Sequence, residues 1–181
     1  MTIKKIVGEC LMRMGLDNFV NSESYTLDEQ KLIDRLVFNA NLVYREIVTS
    51  YLPLVGRAEI EIVDGEFAFA SLVGVHILSP IRVEVGDESV KFKCYPTKIK
   101  CDYQGGATLV YSYLPSTDFA LTDSIDDARV TLEAMVSGIL AEYYFQNKVF
   151  DLAKNFDSEF REIMSTLKYK GRSMFLKERR W

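Results

Sequence analysis

Long apolar runs are missing from this chain. No stretch of its 181 residues reaches the roughly 18 apolar positions that a membrane-crossing helix needs, so no span is expected. Cysteine is scarce as well: three, widely spaced, make neither a disulfide framework nor a zinc site. Cys10 falls on an apolar helical stripe, and Cys94 and Cys101 fall on inward strand positions. All three are expected to be buried, reduced and structural. Histidine occurs once, as His76 between Val75 and Ile77, and there it reads as a packed strand residue and not as a base. One histidine leaves no choice of Ser/His/Asp triad and no Cys/His dyad. No glycine-rich phosphate loop is present either. The first residues, Met1-Thr2-Ile3-Lys4-Lys5, lead into an amphipathic pattern holding Glu9 and Arg13, unlike the apolar core of a signal peptide, and a cytoplasmic protein is expected. Neither enzymatic activity nor a cofactor is expected from these absences.

What is present is enough for a folded core. The chain is 48% apolar and 27% charged, the balance of a globular protein. At this size about 70% of the unfolded surface is normally buried. Charge is distributed unevenly. Residues 168–181 hold six basic side chains against Glu178, a local +5, so the remainder carries −9 of an overall −4. An acidic body with a basic tail points to a nucleic-acid contact or to docking on an acidic protein surface.

Hydrophobic spacing predicts four helices. Residues 2–14 carry Ile3, Ile6, Val7, Cys10, Leu11 and Met14 on one face, with Thr2 as cap and Gly15 as stop. Residues 26–51 open with a capping box, Thr26 and Glu29, and continue to Tyr51 before Pro53, about 38 Å of helix. Residues 124–147 and 149–167 form an amphipathic pair broken at Gln146-Asn147-Lys148. Asp123 or Ser124 is read as the cap of the first, with Asp126 and Asp127 in its opening turn. Between the second and third helices, over residues 57–114, the period changes from 3.6 to 2. Turns at Asp64-Gly65, Gly86-Asp87, Pro96-Thr97 and Gly105-Gly106 divide this region into a meander of about six antiparallel strands. The expected fold is therefore α+β: a bundle of about four helices with one β insertion, residues 1–167 as a single domain, and a basic arm at 168–181.

Two charged groupings stand out. On the hairpin of residues 89–103, Val90, Phe92 and Cys94 share a face with Ile99, Cys101 and Tyr103. Lys91, Lys93, Lys98 and Lys100 take the other face, and Lys93 opposes Lys100 across the ladder, an unfavourable like-charge pair. This basic ribbon reads as a solvated face, or as one turned to an acidic neighbour or to DNA phosphates. Asp118, Asp123, Asp126 and Asp127 form the densest acid cluster. They could hold a hard cation, but helix capping accounts for most of them.

The order of elements, with the residues Tyr95-Pro96, Val110-Tyr111-Ser112-Tyr113-Leu114-Pro115, Ser137-Gly138-Ile139-Leu140-Ala141-Glu142-Tyr143-Tyr144, Phe150-Asp151-Leu152-Ala153 and Phe160-Arg161-Glu162-Ile163, resembles the head-to-tail connector proteins of tailed bacteriophages. The likeness is greatest to adaptors of the tail tubular protein A type. It implies a structural virion protein in the neck: a ring, usually of twelve copies, that sits beneath the portal protein, meets other neck and tail proteins and touches passing DNA transiently, with no membrane partner. It implies no catalytic or metal-binding residues. Other readings are a stopper or tail-terminator ring, a small nucleic-acid-binding regulator using the basic tail, and a small enzyme or ligand-binding module.

The arm carries Met174, Phe175, Leu176 and Trp181 among Arg172, Lys177, Arg179 and Arg180. Burying such apolar side chains is worth about 1.5–3 kcal/mol each, so these eight residues are read as the contact with a neighbouring subunit or the portal. Removing residues 171–181 should leave a soluble, folded protein that no longer attaches to its partner. Joining of heads to tails at normal yield by the truncated protein would exclude this role.

Overall fold

Two threonines set the helix starts at the N-terminal end. Thr2 Oγ1 accepts from Lys5 N at 3.3 Å and begins α1, Ile3–Arg13. Thr26 begins α2, Leu27–Glu46, through the reciprocal capping box: Thr26 N donates to Glu29 Oε2 at 2.6 Å, and Glu29 N to Thr26 Oγ1 at 3.4 Å. The structure, a computed structural model, describes residues 1–16 and 25–170. The strands are β1 (Leu54–Ile62), β2 (Glu66–Ala68), β3 (His76–Val85), β4 (Glu88–Val90), β5 (Phe92–Cys94), β6 (Lys98–Cys101) and β7 (Gly105–Leu114); the last helices are α3 (Leu132–Gln146) and α4 (Phe150–Lys170). The fold class is α+β. Packing divides the chain into a helical unit, Met1–Ile47 with the described residues from Asp118 on, and a β unit, Val48–Thr117.

In the helical unit, α3 lies against α1, α2 and α4. Ala134 through Leu140 are all buried, so this helix is enclosed on every side over two turns. A single apolar stripe was the expectation, and it is corrected: a helix surrounded by three others is apolar all round. Gly138 permits the closest approach. A Cβ there would lie 2.6 Å from Val43 Cγ1 on α2 and 3.2 Å from Phe160 Cδ2 on α4.

Two expected helix boundaries shift. The second helix does not run to residue 51; Ile47–Tyr51 form a π turn. Three successive β-branched residues, Ile47, Val48 and Thr49, crowd the backbone just ahead of Pro53. The third helix starts at Leu132, capped by Thr131 Oγ1, and not at residue 124. In the segment before it, Ser124 Oγ donates to Asp126 Oδ1 at 3.0 Å and Arg129 N donates to Asp127 Oδ1 at 2.9 Å. Such local side-chain bonds compete with helix formation. Ser124 bridges Thr2, and Ile125 N donates to Met1 O at 2.7 Å, so this segment lies along the chain's start with Ile125 and Val130 buried.

The β unit is two sheets and not one meander: β1-β7-β3-β4 and β2-β6-β5. The Asp64-Gly65 turn forms as expected, with φ of 53° and 71°. Its strands separate after the single Val63–Glu66 bridge, because β1 pairs with β7 and β2 with β6. The expected pairing of residues 98–103 with 107–114 is likewise replaced, since β6 joins β2 and β5. The β3–β4 hairpin at Gly86-Asp87 is as expected. Ile60, Ile62, Phe67, Val83, Ile99 and Leu109 lead the core of this unit.

Leu140 is fully buried, and so is Leu36. Replacing either with Ala should lower unfolding free energy by about 2–5 kcal/mol in urea titrations. Gly138→Ala should destabilise by about 1–3 kcal/mol through overpacking, despite the helix-propensity gain of about 1 kcal/mol that alanine would bring at an open site.

Candidate interaction surfaces

The Lys93–Lys100 opposition is present in the β5–β6 register, flanked by Phe92–Cys101 and Cys94–Ile99. Ile99 and Phe67 turn to the core, so the opposite face of this three-stranded sheet carries Glu66 and Ala68 from β2, Lys98 and Lys100 from β6, and Lys93 from β5. Glu66 is the acid of that face. Its carboxylate takes Lys98 Nζ at 2.6 Å on one oxygen and Lys100 Nζ at 3.4 Å on the other. The hydrogen bond from Lys98, more than that from Lys100, holds the Glu66 carboxyl below its usual range. Lys91, Lys93, Tyr95 and Lys100 gather around a depression of about 390 Å³, with Asp102, Phe92 and Cys101 completing its lining.

The acid cluster does not converge. Asp118 pairs with Arg45 at 2.8 Å, Asp123 Oδ2 accepts from Ala120 N at 2.8 Å, and Asp126 takes the Ser124 hydroxyl. Asp127 is held by Arg129, whose hydrogen bonds lower the carboxyl and raise the guanidinium. Among the described residues, no three His, Cys, Asp or Glu side chains are grouped to hold a metal ion. No helix among them is long and apolar enough to cross a membrane.

Cys10 and Cys101 are buried as expected, and burial pushes the Cys10 thiol up to about 12, which makes it unreactive. Cys94 departs from expectation: it faces the same way as Ile99, but β5 is an edge strand and leaves it exposed. His76 is exposed too, not packed, because it opens β3 at the last register pair, opposite Leu114. Arg172, Met174, Phe175, Leu176, Lys177, Arg179, Arg180 and Trp181 lie outside the described residues.

The α3–α4 turn holds a surface that spacing alone did not reveal. Lys148 N donates to Phe145 O and Val149 N to Tyr144 O, the paired bonds of a Schellman ending. The left-handed position, normally glycine, is Lys148 with φ of 62°. Around it Phe145 is 61% and Phe150 59% exposed, their ring centroids 5.9 Å apart, with Val149 and Leu152 also exposed. A cleft of about 460 Å³ beside the rings is rimmed by Glu142, Lys154, Asp157 and Arg161. Val149, Leu152, Ala153, Phe156, Phe160, Ile163, Met164 and Leu167 have the spacing of one buried stripe, but only Ala153, Phe160 and Met164 are buried, since α4 meets the bundle along a narrower seam.

No protein-family model matches the chain, and no curated protein sequence matches it significantly.

Glu46, at the end of α2, is exposed as a whole, yet partial desolvation raises its carboxyl, opposed by Arg161 and assisted by Glu142 and Asp157. A raised carboxyl favours the fold when protonated, and that contribution fades as pH rises through its folded value. Glu46→Gln should therefore melt at higher temperature than the parent at neutral pH, and the difference should close as pH falls below the ordinary 4.5. A pH-independent difference in the melting curves would contradict this.

Proposed function

We propose that this protein is a structural, non-catalytic assembly protein, a head-to-tail adaptor whose copies form a ring beneath a phage portal and line the DNA passage. The observation that carries the assembly part is the pair Phe145 and Phe150, in ring contact with each other yet mostly in water. Two neighbouring aromatics of that exposure characterise a surface that another chain covers. The rim holds both signs, Glu142 and Asp157 beside Lys154 and Arg161, which suits a neighbouring copy of the same acidic protein better than a strongly charged partner. Phe38 and Leu42, one turn apart on α2, are exposed as well. A ring needs a head-to-tail interface in which two different patches meet. The connector part rests on the order of elements, with its helical ends enclosing one β insertion, and on the basic arm.

Native mass spectrometry and electron microscopy of the protein, alone and mixed with its portal, test this reading. A closed multi-copy ring that binds the portal is expected. Phe145→Ser with Phe150→Ser should keep the melting transition and lose the ring. A protein that stays a single copy at every concentration, with or without portal, would overturn the proposal.

A further inference from the structure

The lysine face of the β2-β6-β5 sheet has a purpose that edge protection does not supply. Lysine on an edge strand hinders unwanted strand pairing, which explains Lys93 on β5. It does not explain Lys98 and Lys100 on β6, the central strand. Nor does local neutralisation account for them. Glu66 alone serves both, and Lys91 and Lys93 form no ion pair among the described residues, although Asp102 lines the depression beside them. The sheet keeps a like-charge pair directly across its ladder, where an opposite-charge or threonine pair would be more favourable.

We infer that this face binds the phosphodiester backbone of nucleic acid. Lys91, at the break between β4 and β5, and Lys93 on β5 line the same depression and offer two cationic contacts to neighbouring phosphates of one strand. Lys100, which also pairs with Glu66, stands opposite Lys93, so three lysines line one depression against a single acid, Asp102. Tyr95, 43% exposed, lines the same depression and offers a ring face on which a base can stack. An acidic protein would satisfy the lysines but leave Tyr95 unused. Binding of this kind is sequence-independent and weak, with Kd about 10⁻⁴ to 10⁻⁶ M at physiological salt. The inference rests on this sheet alone and not on the ring reading.

Fluorescence anisotropy of the full chain with a labelled oligothymidylate and a labelled duplex tests it. Three neutralised phosphates predict a log–log salt slope of roughly −2 to −3. Lys91→Glu with Lys93→Glu should weaken binding about tenfold or more at low salt. Lys93→Glu alone also places an acid opposite Lys100, so its melting temperature should rise while affinity falls, which unfolding could not produce. Tyr95→Ala should weaken the single strand about fivefold or more and leave the duplex unchanged. Arg172→Glu with Arg179→Glu and Arg180→Glu should change binding little. The inference is overturned if the Lys91/Lys93 variant binds like the parent, if only the arm variant loses binding, or if poly-glutamate displaces the oligonucleotide as well as unlabelled DNA does. Ring formation is scored separately, so either conclusion can fail without the other.

Discussion

The helical unit depends on the approach of three helices at Gly138, where no side-chain atom fits between Val43 of α2 and Phe160 of α4. Enclosing α3 requires contributions from both ends of the chain, since α1 and α2 precede the β unit and α4 follows it. This is why the β unit is an insertion and not an appended domain. The core of the helical unit is closed by contacts between residues far apart in sequence, as in the bond from Gln146 Nε2 to Asn39 Oδ1 at 2.8 Å, 107 residues away. Contacts of that range make the unit slow to complete, because loop closure precedes the packing that rewards it. The α1–α2 pair has its full set of partners only once residues beyond 132 are available.

The β unit solves a different problem. Its core is built from alternate residues of seven short strands, so every inward position commits a neighbour to the outside. Phe67 and Ile99 inside therefore place Glu66, Lys98 and Lys100 together outside. One carboxylate shared by two ammonium groups is depressed in pKa, and its help to the sheet is present above its unfolded value and fades as pH falls through the folded one. At an exposed site such pairs contribute little to stability. The lysines are better understood through what they present to solvent than through what they hold together.

Much of this architecture was legible from residue spacing because the relevant physics is local. Thr2 and the Thr26–Glu29 box announce their helices through hydrogen bonds completed within one turn. The Lys93–Lys100 register followed from the short Pro96-Thr97 turn and strand alternation. What depended on distant partners was not legible. Asp64-Gly65 specifies a turn, but whether β2 stays with β1 or joins β6 is decided by Cys101, whose N–H bonds Gly65 O at 2.8 Å. A Cβ at Gly65 would sit 2.6 Å from Cys101 O, so the same glycine that makes the turn admits the third strand. Apolar spacing also extended the third helix back to residue 124, since Ile125 and Ala128 continue the three- and four-residue steps back from Leu132, although Ala128 is exposed and the backbone there is held by Thr2 and Asp127. The exposed aromatics were hidden for a related reason: periodicity marks a side chain as apolar without saying whether its cover belongs to the same molecule.

The α3–α4 turn joins these threads. Lysine at φ of 62° is strained by about 1–2 kcal/mol relative to glycine at the same place. Strain of this kind persists where the surroundings over-determine the backbone, and here the two Schellman bonds do so. The turn they fix holds Phe145 at the end of one helix against Phe150 at the start of the next, in an edge-on pair that neither helix alone could position. Holding the two rings in place lowers the entropy lost when the pair is covered, and the ring proposed above would draw on that pre-organisation at its interface.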